Sequence, residues 1–180
     1  MKFVCGPVGF SVPGAEDAIQ VVIYGKAEKG QVSVGGYARE LLEKAHLEIN
    51  PQAWDFLSIA LAVVAADFTA IRAKSADAWT RVINLEIAVQ DTVFWNSQAR
   101  ALEGALRFLT TDRWTLSFHA GGFGPPAQLQ ALHPSEDSVV LLSGGLDSLI
   151  GAIDLVEQGV KPYAVSQIVR GLSLIHISAP

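Results

Sequence analysis

Ser143, Gly144, Gly145, Leu146, Asp147 and Ser148 form the stretch of this chain whose residue types and spacing could do chemistry. Two adjacent glycines remove side chains from a loop, so backbone N–H groups can close on an anion, and the hydroxyls of Ser143 and Ser148 stand at either end. Phosphate is the natural anion for such a cradle. Asp147 complicates this, because a carboxylate repels bare phosphate. It fits either as a negative charge favoured at a helix N-terminus or as a ligand to Mg²⁺ that itself bridges phosphate oxygens. Two common phosphate loops do not match. GxxxxGK[ST] needs a lysine for the β- and γ-phosphates, and GxGxxG needs a spacing that the GG pair does not have. The plainer alternative is turn chemistry, a strand-GG-helix corner with an aspartate near the helix start.

The elements around the loop are readable. Ser138–Leu142 is a short apolar run, as expected of a parallel strand buried on both faces. Leu146, Leu149, Ile150, Ile153 and Val156 recur at helical spacing, and Gly159 with Pro162 just beyond makes a stop. Lys161–Ser166 is predicted as a second strand, completing a βαβ unit whose helix begins at the glycine loop.

In that setting SGGLDS resembles the PP-loop of the ATP pyrophosphatase superfamily, consensus SGGxDS. The resemblance implies a cradle for the pyrophosphate part of ATP, which leaves in the reaction, so that no Walker-type lysine is required. VVLLSGGLDSLIGAIDL is most similar to 7-cyano-7-deazaguanine synthases (QueC). DAWTRVINLEIAV and FWNSQARALEGALRFLTTDRWTLSF extend the likeness, over most of residues 55–166, to the QueC-like QatC proteins of Qat antiphage defence systems, which carry an extra N-terminal domain. The resemblance implies ATP-dependent activation of the carboxylate of a 7-carboxy-7-deazaguanine-like substrate with release of pyrophosphate. Ammonia or another amine, in a defence relative one on a partner protein, then attacks the activated acid. Carried over residue by residue, Ser143, Gly144, Gly145, Leu146 (through its N–H), Asp147 and Ser148 would bind the ATP phosphates. Asp147 would be the catalytic residue and the one near Mg²⁺, while the nucleoside would reach toward Val165 and Ser166. Zinc would belong to the family's cysteine-rich C-terminal site, for which this chain has no residues. The same loop also fits another PP-loop enzyme, tRNA-modifying or amide-forming, or a non-catalytic binding module with a degraded nucleotide fold.

The rest of the sequence predicts a small α+β layer domain over residues 1–119. Val21–Tyr24 is a β-rich strand. Residues 37–47 form a helix with Ala38, Leu41, Leu42 and Ala45 on one face and Glu40 and Lys44 able to pair on the other. Asn50 and Pro51 start a more buried helix lasting to about Ala66. Ile83, Leu85, Ile87 and Val89 alternate with polar positions in a half-buried strand. A helix over 96–109 comes next, capped by Asn96 or Ser97, with Ala99, Leu102, Ala105, Leu106 and Leu109 inward, and Trp114–Phe118 alternates again. Residues 120–136, rich in Gly and Pro, read as a linker, or as a lid hinged at Gly121 and Gly122. Residues 137–180 then read as a truncated PP-loop ATP-binding domain, the start of a doubly wound parallel sheet, with 171–180 either a non-native tail or a third strand. The expected class is α/β, preceded by the α+β domain.

Composition narrows the partners. Half of the 180 residues are hydrophobic, enough for a sizeable core, and the net charge of −5 argues against a strong grip on nucleic acid or acidic lipid. Cys5 is the only cysteine, so no internal disulfide or thiolate zinc cluster is possible, and a reducing cytoplasm fits. His46, His119, His133 and His176 are too scattered to propose a metal site. Phe56–Ala66 is apolar but too short to span a bilayer, and the N-terminus lacks the unbroken apolar run of a signal peptide. Trp54, Trp79, Trp95 and Trp114 sit in periodic elements and read as core rather than as a base-stacking surface.

Overall fold

A computed structural model describes residues 1–128, 132 and 135–166. The chain divides into two compact units, Met1–Leu132 and His133–Pro180. The expected tail at 171–180 lies outside the described residues, as do His133 and His176.

The first unit is built on β1 (Lys2–Gly6), β2 (Ile19–Ile23), β3 (Val32–Val34), β4 (Val82–Val89) and β5 (Arg113–Ala120). These strands form one sheet in the order β3-β2-β1-β4-β5, and every pairing is parallel. The expected α+β layer is therefore corrected to α/β with a Rossmann-like strand order. The difference arises at β1, the central strand. KFVCG is a short, non-alternating run, which is how a strand covered on both faces reads, and it carries no periodic signal to mark it. β3 is shorter still.

Helix α1 (Gly36–Lys44) and helix α2 (Pro51–Thr69) carry the chain from β3 to β4, and α3 (Thr92–Thr110) carries it from β4 to β5. The start of α2 is as expected: the Asn50 side chain accepts from Gln52 N at 2.8 Å and Pro51 takes the first position. Helix α3 starts a turn earlier than its sequence indicates. Asp91, not Asn96 or Ser97, is its cap and accepts from Phe94 N at 2.9 Å. The apolar TVFW of the first turn hides that start. On α1 the pair that forms is Arg39–Glu43 at 2.7 Å rather than Glu40–Lys44, an exposed contact worth little. Leu41 points outward, and so do Ala105 and Leu109 of α3.

Alternate residues of the sheet, Phe3, Cys5, Val21, Ile23, Ile83, Leu85, Ile87, Trp114, Leu116 and Phe118, share one core with Trp54 and Ile59 of α2 and Trp95 of α3. Three of the four tryptophans are thus core, as expected; Trp79 is 66 % exposed. The Asp55 carboxylate is buried in the same layer. It accepts from the backbone N–H groups of Gln90 (3.0 Å) and Asp91 (3.1 Å) and from Trp95 Nε1 (3.0 Å), fixing the corner between β4 and α3 to α2. The opposite face is polar in part: Glu86 pairs with Lys2 at 3.3 Å and with His119 at 2.7 Å.

At the N-terminal edge of β4 and β5, Asp112 is fully buried. Arg72 donates to both its oxygens at 2.9 and 3.0 Å, and Arg81 donates Nε at 2.9 Å and its backbone N at 2.9 Å. Arg81 also reaches Asp67 and the carbonyls of Asp67 and Ala70.

The second unit contains β6 (Ser138–Leu142), α4 (Leu146–Glu157) and β7 (Pro162–Ser166), with β6 and β7 parallel from Ser138↔Pro162 to Leu142↔Ser166. This is the expected βαβ unit. Its expected burial is not found. Val139 and Leu141 are 67 % and 73 % exposed, and no residue of α4 is buried. A two-stranded ribbon with one helix covers only one side of its strands.

Candidate functional site

The six residues singled out in the sequence come together at the corner where β6 turns into α4. Leu142 ends the strand, Ser143 and Gly144 make the turn, and Gly145 is the N-cap of α4. Gly144 has φ +85°, the left-handed region that an L side chain rarely adopts, so glycine there is a requirement of the turn. Gly145 is different. Its φ is −86°, open to any residue, and an added Cβ would meet only Ser143 Oγ at 3.6 Å, an ordinary contact. Neither backbone nor packing explains the missing side chain.

The hydroxyls of Ser143 and Ser148 are 3.2 Å apart, and Ser148 Oγ donates to the Gly145 carbonyl at 2.9 Å. The serines therefore close the loop on itself, one on each side of the glycines. Asp147 lies in the first turn of α4, the favoured end for a negative charge. No side chain caps this helix, whereas Asn50 and Asp91 cap α2 and α3; α1 is likewise uncapped. The first-turn amides of Leu146, Asp147 and Ser148 thus have no side-chain acceptor at the N-cap, the arrangement that receives an anion. The Leu146 side chain is 70 % exposed and does not pack. Val165 and Ser166 sit opposite Leu141 and Leu142 at the same end of the ribbon as the loop.

The residues present suit a phosphate chain with a divalent cation. Gly145 is an N-cap with only Ser143 Oγ, at 3.6 Å, near the place of a Cβ, the first-turn amides of α4 have no side-chain acceptor, and Asp147 is a hard oxygen donor of the kind Mg²⁺ takes. Asp147 is the residue of the loop that could hold such a cation; among the described residues no group of three or more His, Cys, Asp or Glu is placed to hold a metal.

In the first unit, topology directs a ligand to the C-terminal ends of β1 and β4, where the strand order reverses. Little free space is left directly between these two strand ends. Gly6, Tyr24, Ser58, Ala88, Gly122 and Phe123 line a space of about 10 Å³ there, at the limit for a single water. Gly122 seals it: its N–H donates to Val89 O at 3.2 Å, and a Cβ would lie 2.6 Å from the Val89 backbone. Gly122 is therefore a close-packing glycine against β4 rather than a lid hinge. Beside it, a cleft of about 240 Å³ between β1, β2 and the loop after β1 is lined by uncharged residues including Gln20, Gln31 and Ser11. No sequence signal marks this cleft, because β1, which forms its wall, carries no period of its own.

Fold and site together define an α/β protein with a five-stranded all-parallel sheet and, in its second unit, a glycine loop opening a helix. No family model matches the chain, and no curated protein or solved structure matches it.

Proposed function

We propose that Ser143–Ser148 is a PP-loop that binds the phosphates of ATP, in a protein built for adenylation of a carboxylate. The observation that carries the reading is Gly145, a glycine at an uncapped helix start that neither its backbone angle nor its neighbours require. Ser143 and Ser148 fix the loop's width, Gly144 makes its turn, and the amides of Leu146, Asp147 and Ser148 supply donors for phosphate oxygens. Mg²⁺ at Asp147 would supply neutralisation of the charge on the phosphates. The SGGxDS resemblance supports ATP, and the likeness of VVLLSGGLDSLIGAIDL to 7-cyano-7-deazaguanine synthases supports the acid: a carboxylate oxygen of a 7-carboxy-7-deazaguanine-like acid bonds to the α-phosphorus, the bond to the β-phosphate oxygen breaks, and pyrophosphate departs. Ammonia or an amine, on a partner protein in antiphage defence, then displaces AMP from the acyl carbon and loses a proton. In this scheme the loop acts by positioning the triphosphate and by holding the leaving pyrophosphate.

Calorimetric titration of the full chain with ATP in magnesium tests the binding step. Saturable binding that weakens at least tenfold in Asp147→Asn or on chelating magnesium is expected. No heat of binding with either nucleotide or pyrophosphate overturns the proposal.

A further inference from the structure

The cleft beside the end of β1 has walls that folding alone does not account for. The face of the large sheet that carries Phe3, Cys5, Val21 and Ile23 packs in the core with α2 and α3. Val4 and Gln20, partners across β1 and β2, point with Val22 to the other face, and the cleft lies between that face and the loop after β1. Val4 and Val22 are buried. Gln20 stands beside them half-buried, and among the described residues its carboxamide has no hydrogen-bond partner. An apolar side chain would suit that strand position better, because an amide withdrawn from water without a partner costs stability. Gln31 is half engaged: its Oε1 accepts from Glu28 N at 3.0 Å, while its Nε2 donates to no described residue. The facing wall is fixed. Phe10 N donates to Pro7 O at 3.0 Å across a turn in which Gly9 has φ +82°. The Phe10 ring then lies so close to β1 that a Cβ on Gly6 would meet it at 2.5 Å.

We propose that this cleft binds a small uncharged ring carrying the edge of a cyclic amide, an N–H and a C=O side by side. The site is separate from the loop at Ser143–Ser148 and does not rest on what that loop binds. Charge, size and edge select the ligand. None of the described residues that line the cleft is ionisable, and the nearby Lys2 and Glu86 pair with each other at 3.3 Å. An ionic ligand would lose water there and gain no counter-charge. The volume of about 240 Å³ equals roughly eight waters at ~30 Å³ each, room for one ring system and short of the ~300 Å³ at which pockets for larger ligands begin. The Gln20 carboxamide presents a donor and an acceptor next to each other, and its complement is an amide that does the same. A trans peptide holds N–H and C=O on opposite sides, whereas a ring forces them onto one. The Phe10 ring supplies an aromatic wall, and Ser11 and Gln31 Nε2 are further polar groups for the ring's remaining substituents.

Magnetic-resonance titration of the isotope-labelled full chain with uracil tests this. The amide resonances of Gly6, Gly9, Phe10 and Val22 are expected to move saturably. Orotate, the same ring bearing a carboxylate, and benzene, a ring without an amide edge, should each bind about tenfold more weakly. Gln20→Leu places an apolar side chain beside Val4 and Val22, so melting should hold while uracil affinity falls about tenfold. Gln20→Glu keeps the side chain's shape, replaces the donor with a charge and should weaken uracil at least as much. No saturable movement with uracil overturns the proposal, as does movement confined to amides away from the cleft. Uracil binding that both folded Gln20 variants leave unchanged overturns it too. Benzene binding as tightly as uracil overturns it in favour of a merely apolar slot.

Discussion

The two units treat polar groups in opposite ways. In the first, the acids and bases that could do chemistry are engaged with one another: Asp112 with Arg72 and Arg81, Asp55 with a backbone corner, Glu86 with Lys2 and His119. The crevice between the ends of β1 and β4 holds only about 10 Å³, and the cleft of about 240 Å³ beside it at the end of β1 is lined by uncharged residues. In the second, a helix start carries no side-chain cap, a glycine stands where none is needed, and no α4 residue is buried. A Rossmann-like strand order thus goes with an end whose lining offers no charged group, while a single βαβ corner keeps first-turn donors without a side-chain cap. Topology tells where a ligand could bind; only the local groups tell whether one can.

The largest test of this contrast is Asp112→Ala. It leaves the Arg81 guanidinium, side chain 7 % exposed, without its main partner, and removing one side of a buried pair costs about 3–5 kcal/mol. Urea denaturation should show that loss. The pH dependence has a definite sign. Burial pushes the Asp112 carboxyl up, but the hydrogen bonds from Arg81 and the charges of Arg81 and Arg72 outweigh it and hold it below its usual range. The unfolded chain therefore takes the proton first. The stabilisation is fully present above the unfolded value of about 3.9 and is lost as pH falls through the lower folded value. In Asp112→Ala the acid limb of the stability profile should flatten.

Next in size is a pair of truncations. Ile87, 0 % exposed at the centre of the large sheet, should cost about 2–5 kcal/mol as Ile87→Ala, whereas Leu141→Ala, on the open side of β6, should stay within about 0.5 kcal/mol. Both are read from denaturation midpoints. A loss at Leu141 as large as at Ile87 would mean that the open side of β6 is covered in solution, and the contrast between the units would fail.

Legibility in the sequence divides along the same line. The Asn50-Pro51 helix start, the alternation of Ile83 to Val89 and the strand-GG-helix corner were legible, because each signal lies within a few neighbouring residues. The central strand Lys2–Gly6 and the all-parallel pairing were not: a fully covered strand has no period, and pairing joins residues as distant as Lys2 and Asn84. Asp55 and Asp67 merely flank the apolar run Phe56–Ala66 in the sequence, yet one is a buried anchor and the other a partner of Arg81. Exposure misled in the second unit, where apolar runs that read as interior lie open. The loop residues lie together because they are consecutive in one strand-to-helix turn, and the resemblance they carry concerns a ligand rather than a packing arrangement.

The smallest effect on folding should come from the glycine that matters most to the proposed ligand. Gly144→Ala forces a Cβ into φ +85° and should cost about 1–2 kcal/mol of the second unit's stability whatever the loop binds. Gly145→Ala meets no such penalty, with φ −86° and a nearest neighbour at 3.6 Å, so hydrogen exchange and melting should be unchanged within about 0.5 kcal/mol. Its methyl would occupy the approach to the first-turn amides of α4. If a triphosphate rests there, ATP affinity by calorimetry should fall at least tenfold while folding stays intact. An alanine at 145 that binds ATP as well as glycine does would show that the corner is a turn and nothing more, because it would separate the one unexplained glycine from the ligand it is thought to admit.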